Sequence, residues 1–154
     1  MNYEKLIEDG LLKREEIGFD KVQKLVEKAR QKIKSAYILI KNDDLDNGFQ
    51  FAYEAMLFAG RALVFSYGLR PRTSGSHKIV VQFCGEVLGG KYKDLVGKFD
   101  KARADRNYLI YGVGLTISST EADNAIKTAQ NFIKIVEEYI EKKNPQVKLL
   151  KNRQ

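Results

Sequence analysis

A chain of 154 residues, of which 44% are hydrophobic, is long enough to build one core without disulfides. The single cysteine, Cys84, excludes an intrachain disulfide, and one cysteine with one histidine cannot complete a zinc site. The formal net charge of +7 permits an anionic partner without requiring one. No apolar run approaches the roughly 20 residues that span a bilayer, and the first residues do not resemble a signal peptide, so we expect a reducing, cytoplasmic setting.

Helical periodicity dominates the rest of the sequence. Apolar residues recur at steps of three and four, which predicts amphipathic helices. The second predicted helix is apolar on two faces, which is typical of a central helix or of one in a dimer interface. The predicted segments are helices over 20–41 and 45–67, a loop over 68–76, a shorter helix ending at Gly89-Gly90, a helix over 92–111, and a last helix that begins with the capping box of Ser118 and Glu121.

The two ends of the chain complete the predicted architecture. A short helix is expected around Leu6 and Leu11-Leu12, and residues 143–154 are a basic polar tail. The only weak strand pattern lies over 113–117. The sequence therefore predicts one all-α domain over 1–142, an antiparallel bundle of four main helices plus a short N-terminal helix.

Arg106 is the first candidate functional residue. Helical geometry places it in line with Phe99, on the apolar stripe of its segment. An arginine in such a place needs an acidic partner on a neighbouring helix or an anion to bind. Asn107 and Tyr111 are i, i+4 neighbours beside it, and an arginine, an amide and a phenol can together bind a phosphate. Arg103 precedes them by one helical turn.

A second candidate is the basic loop before the short helix. It contains Arg70, Arg72, His77 and Lys78 and no acidic residue, and it ends at a helix N-terminus, which attracts anions. A phosphate or RNA-backbone contact is one interpretation. The other is a solvated loop in which His77 caps the helix or packs locally. The basic tail admits the same two interpretations, nucleic-acid binding or simple solvation.

Three groups of residues carry a resemblance to a known family. They are FAYEA and AGRAL at 51–55 and 59–63, YGLRP at 67–71 followed by Ser76-His77-Lys78, and Arg106-Asn107 followed by Tyr111-Gly112. Over roughly residues 1–142 the chain resembles the HEPN domain family (higher eukaryote and prokaryote nucleotide-binding), and especially its small stand-alone prokaryotic members.

The resemblance implies a function. Many HEPN proteins are metal-independent endoribonucleases that act as homodimers, and many are toxins neutralised by a partner, often a nucleotidyltransferase of the MNT type. Their Arg-polar-x-x-x-His motif would correspond to Arg106, Asn107 and Tyr111. The arginine would hold the scissile phosphate and the histidine would transfer a proton. Supporting contacts to RNA or nucleotide would come from Arg103, Arg70, Arg72, His77 and Lys78, with no metal or cofactor.

The chain departs from the family pattern at the motif histidine. Tyr111 takes that place, and a phenol is a poor general base at pH 7. Val113 takes the place of the tyrosine that accepts a nucleotidyl group. His77 could replace the lost histidine only if the fold brings its loop to Arg106.

Two functions remain open. One is an RNA- or nucleotide-binding protein of a toxin–antitoxin system, with ribonuclease activity weakened or absent. The other is a non-catalytic helical module that docks on a nucleotidyltransferase, with the helix over 45–67 buried against that partner or a second copy.

Overall fold

The computed structural model describes residues 3–73, 76–112 and 116–144 and is helical almost throughout. Within these residues six α-helices, one 3-10 turn and two short strands follow one another. They are α1 Tyr3–Glu8, β1 Leu12–Arg14, α2 Phe19–Lys41, α3 Leu45–Ser66, β2 Leu69–Pro71, α4 His77–Leu88, the turn Gly90–Tyr92, α5 Lys93–Tyr111 and α6 Ser119–Lys143. The all-α prediction is confirmed.

α3 is the centre of the bundle. α2 and α6 pack along it, and α4 and α5 also contact it. Its buried side chains accordingly lie on more than one face, among them Tyr53 and Leu63, both fully buried. The two-faced apolar pattern thus marks a central helix. The helices α2, α4, α5 and α6 cover most of α3 within its own chain, and a stripe of half-buried residues that includes Phe58 and Phe65 remains at the surface.

The backbone conformation at Gly68 and the close packing at Gly60 both favour glycine. Gly68 has a φ of 67° just after α3, a left-handed conformation that favours glycine and ends the helix where the sequence predicted. Gly60 lies where α3 approaches α4 and α5. A Cβ added at Gly60 would stand 2.7 Å from Cγ1 of Val80 and 3.3 Å from Sγ of Cys84.

Two short strands form where the sequence predicted none. β1 pairs antiparallel with β2, with Leu12 opposite Pro71 and Arg14 opposite Leu69. The prediction of helix at Leu11-Leu12 and of an unpaired loop from residue 68 was therefore wrong. Three-residue strands are too short to show alternation in the sequence, and this pair is held by its buried residues, Leu12 and Leu69, which are both 0% exposed.

Individual side chains also differ from expectation. Tyr37 follows the apolar periodicity of α2, which predicts an inward side chain, yet it is 58% exposed near the end of that helix. Cys84 lies one position after the inward-facing Phe83, which predicts a half-buried side chain. The structure instead buries it fully, and burial raises the pKa of its thiol. The weak strand over 113–117 and the basic tail lie partly or largely outside the described residues.

The last helix begins as predicted. The backbone N–H of Glu121 donates to Oγ of Ser118, and the backbone N–H of Ser118 donates to Oε1 of Glu121, which is a complete capping box. Among the described helices none is long and apolar enough to cross a membrane.

Candidate functional site

Arg106 occupies the position that the helical pattern predicted, without the acidic partner that a structural role would need. Its side chain lies on α5 two turns after Phe99, which is fully buried. Its Nε is buried and has no hydrogen-bond partner among the described residues. No described acidic residue forms an ion pair with it. A buried guanidinium nitrogen without a partner costs free energy that a bound anion would recover.

Arg106 lines an open cleft of about 620 Å³ between the start of α4 and the end of α5. The residues around it include three cationic side chains and one imidazole but no acidic residue. They are Ser76, His77, Lys78, Ile79, Arg103, Arg106, Asn107 and Tyr111. A cleft of this composition attracts anions through its summed positive charge.

The fold therefore brings His77 to Arg106, which the sequence alone left undecided. His77 is the first residue of α4, and α4 packs against α5. The pKa of His77 is lowered first by burial and then by the positive charges of Arg106, Arg61 and Arg103. Glu54 acts weakly in the opposite direction. His77 is consequently neutral at pH 7 and able to accept a proton.

Tyr53 of α3 holds the imidazole in place. Its hydroxyl lies 2.9 Å from Nδ1 of His77, and the two share a hydrogen bond whose direction follows the tautomer of the ring. Burial raises the pKa of Tyr53 to about 12, against the opposing charges of Arg106, Arg103 and Arg61, so the phenol stays protonated. Because Nδ1 is engaged by Tyr53, Nε2 is the nitrogen that remains for a ligand.

Aromatic packing fixes Tyr53 in turn. Its ring centroid lies 6.0 Å from that of Phe99, which packs at 4.8 Å on Phe132 of α6. The imidazole is thus anchored through Tyr53 to the core of the bundle. Side chains held in this way keep their geometry without a bound ligand.

The family model of the HEPN domain matches residues 22–139. The chain belongs to the HEPN domain family. The match places it among helical domains with nucleotide- or RNA-related roles. No curated protein matched the sequence.

The three residues that the resemblance matched to the family motif lie together but differ in exposure. Arg106, Asn107 and Tyr111 all line the cleft, and Tyr111 is 83% exposed. Arg103 also lines the cleft and its Nε donates to Oδ1 of Asp100 at 2.9 Å. Lys78 is exposed at the rim beside His77.

Two predicted contacts of the HEPN chain lie elsewhere. Arg70 belongs to β2, where its Nη1 donates to Oε2 of Glu15 at 3.0 Å. Arg72 follows the strand and is exposed. Neither lines the Arg106 cleft, because pairing with β1 holds this part of the chain beside the start of α2 rather than at α5.

Two further residues of this HEPN domain were missed by sequence reasoning. The apolar periodicity of α3 predicts only a packing role for Tyr53, and Arg61 was not singled out. The available signal was a hydroxyl on a buried helix face, since a buried phenol needs a hydrogen-bond partner. Within the described residues no cluster of histidine, cysteine and acidic side chains could hold a metal ion.

Proposed function

We propose that the Arg106 cleft binds a phosphate of RNA or of a nucleotide, and that the protein is a metal-independent endoribonuclease in which His77 serves in place of the missing motif histidine. The buried, unpartnered Nε of Arg106 in a cleft without acidic residues carries this proposal. Arg103 and Lys78 add positive charge at the same cleft, and Asn107 offers an amide for orienting the ligand.

The chemistry would be an attack of the ribose 2′-hydroxyl on the neighbouring phosphorus. Nε2 of neutral His77 accepts the 2′-hydroxyl proton while the bond to the 5′-oxygen breaks, and the leaving oxygen takes a proton from water. Arg106 stabilises the negative charge that develops on the phosphate oxygens. The products are a 2′,3′-cyclic phosphate and a 5′-hydroxyl end.

The test is cleavage of a mixed RNA pool in the presence of a metal chelator. Wild type should cut, Arg106→Ala and His77→Gln should not, and Tyr111→Phe should retain most activity because that phenol is largely exposed. Lys134→Ala removes one exposed cation that does not line the cleft and serves as the control. Activity that survives Arg106→Ala unchanged would refute the proposal.

The surroundings of the cleft support a proposal about partners as well. We propose that the protein acts as a homodimer in a toxin–antitoxin system, with an MNT-type nucleotidyltransferase as its neutralising partner. Tyr108, Ile110 and Tyr111, exposed by 64%, 40% and 83%, form an apolar patch at the end of α5 next to the cleft. Tyr108→Ser should weaken self-association in light scattering, and a Tyr108→Ser protein with unchanged mass would contradict this surface.

A further inference from the structure

A second cleft lies beside the Arg106 cleft, and Ser76 lines both. It encloses about 330 Å³, at the lower end of the range of small-molecule sites, about 300 to 1,000 Å³. We call it the Phe58 groove. Its lining includes Phe58, Arg61 and Phe65 of α3, Lys28 of α2 and Arg70 of β2.

Two phenyl rings form the apolar side of the Phe58 groove. Phe58 and Phe65 are seven residues apart on α3 and therefore lie on the same face of that helix. Both are half-buried, and neither packs on another aromatic ring among the described residues. The Nζ of Lys28 lies 5.8 Å from the Phe58 centroid, near the limit of a cation–π contact. A planar base could stack on these rings.

The charge of the groove is positive. Lys28, Arg61 and Arg70 line it and no acidic residue does, although Arg70 is neutralised in part by Glu15. Arg61 is half-buried and forms no ion pair with a described residue. Its charge also lowers the pKa of His77, so the same guanidinium acts on the Arg106 cleft and on the groove.

We propose that the Phe58 groove binds the nucleotide adjacent to the one whose phosphate lies at Arg106, with its base on Phe58 or Phe65 and its backbone on Arg61. The ligand is then a single strand of RNA at least two nucleotides long, rather than a mononucleotide. This inference rests on the proposed phosphate site at Arg106.

The experiment compares two ligands on one set of variants. The first ligand is uridine 3′-monophosphate, and the second is a 2′-O-methyl tetranucleotide, which has no free 2′-hydroxyl and cannot be cleaved. The variants are Phe58→Leu, Phe65→Leu and Arg106→Ala. The control is Phe51→Leu, because Phe51 lies on the same face one heptad earlier, carries Lys32 Nζ at 4.0 Å from its centroid, and does not line the groove.

Loss of a stacking surface should weaken tetranucleotide binding by about 5-fold or more in Phe58→Leu or Phe65→Leu. Mononucleotide binding should stay as in wild type, and Phe51→Leu should bind both ligands normally. Arg61→Gln leaves both rings in place, so it tests the groove if a ring variant unfolds. Arg61→Gln should also weaken binding of the tetranucleotide, and it should reduce the slope of log affinity against log salt concentration by about one.

The failures of the two proposals can be told apart. If Arg106→Ala weakens both ligands while the folded ring variants and Arg61→Gln match wild type, the groove proposal is overturned and the phosphate site stands. If Arg106→Ala changes neither ligand, the phosphate site fails and the groove proposal falls with it. Equal binding of a double-stranded RNA would also overturn the groove, since paired bases are not free to stack.

Discussion

The hydroxyl of Tyr53 lies 2.9 Å from Nδ1 of His77, and this contact joins the centre of the bundle to a cleft lined by cations and no acidic residue. Tyr53 is fully buried on α3, whereas His77 is partly exposed at the start of α4. The imidazole thereby has one nitrogen committed to the core and one available to a ligand. Such a pairing is typical of a histidine that is oriented for proton transfer.

Removing only the hydroxyl should separate orientation from binding. In Tyr53→Phe the ring stays but Nδ1 of His77 loses its partner, so we expect the free energy of unfolding to fall by about 1 kcal/mol. RNA cleavage should fall at saturating substrate, while phosphate affinity, which we propose to depend on Arg106, should not change. Urea unfolding and single-turnover cleavage measure the two effects. A Tyr53→Phe protein that cuts at the wild-type rate would argue against the positioning role.

The stability of the protein should depend on the titration of His77. Its folded-state pKa lies below the unfolded value of about 6.5, so the unfolded chain takes up the proton first as the pH falls. The contribution of this group to stability is therefore present above about pH 6.5 and is lost as the pH falls below it. His77→Gln should flatten that part of the profile. The rate of RNA cleavage should also fall below about pH 6.5, because a protonated His77 cannot accept the 2′-hydroxyl proton.

A bound anion should raise the lowered pKa of His77 back toward its usual value. Its charge offsets that of Arg106, Arg61 and Arg103, so phosphate should raise the pKa of His77. Imidazole proton shifts, followed by NMR with and without inorganic phosphate, test this. An unchanged titration at saturating phosphate would place the anion elsewhere.

Without a bound anion, the buried guanidinium of Arg106 should lower the free energy of unfolding. Its buried Nε has no partner, so Arg106→Met, which keeps an apolar stem, should leave the free energy of unfolding unchanged or raise it by about 1 kcal/mol. Phosphate binding should be lost at the same time. Arg103→Met is the comparison, because Nε of Arg103 donates to Asp100 and its removal breaks a bond. A marked destabilisation by Arg106→Met would mean that the guanidinium is structurally satisfied.

Gly60 should tolerate no side chain unless its neighbour shrinks. The added Cβ of Gly60→Ala would stand 2.7 Å from Cγ1 of Val80, which is fully buried. We expect a loss of about 1–3 kcal/mol in the free energy of unfolding. The double variant Gly60→Ala/Val80→Ala should recover part of that loss, because the second change removes the clashing methyl groups. Additive losses would contradict the close approach of α3 and α4.

Glu137 of α6 is buried and depends on Arg30 of α2, whose Nε donates to Oε2 of Glu137 at 2.9 Å. Burial raises the pKa of Glu137, and the hydrogen bond and charge of Arg30 act against that rise. Arg30→Ala should lower the free energy of unfolding by about 1.5–3 kcal/mol, the range for a hydrogen bond to a charged group. The cost stays below that of breaking a fully buried ion pair, because the Arg30 side chain is 40% exposed to solvent. Arg30→Met with Glu137→Leu should restore stability. Continued loss in the double variant would contradict this account.

The helices and the local part of the site could be predicted from the sequence for the same reason. Apolar periodicity needs only nearest turns of one helix, and so does the grouping of Arg106, Asn107 and Tyr111 at i, i+1 and i+5. Both signals are complete within a short stretch of chain. The family resemblance, which rests on the order of several segments, was confirmed as well.

The remaining parts of the site depend on contacts between distant segments. The approach of His77 to Arg106 follows from the packing of α4 on α5, and the partner of His77 lies 24 residues earlier on α3. No periodicity encodes either distance. For the same reason Arg70 and Arg72 were grouped with His77 by sequence proximity, whereas strand pairing holds them apart from the cleft.

The pairing of β1 with β2 joins residues inside the family match to residues outside it. β1 precedes residue 22, where the family match begins, yet it pairs with β2, which lies within the matched residues. Leu12 of β1, which is fully buried, thus helps to hold β2 from outside the matched residues. A relative could keep the whole matched segment and still lack this strand pair if its leading residues had changed. Part of the packing of this domain is therefore contributed by residues outside the segment by which the family is recognised.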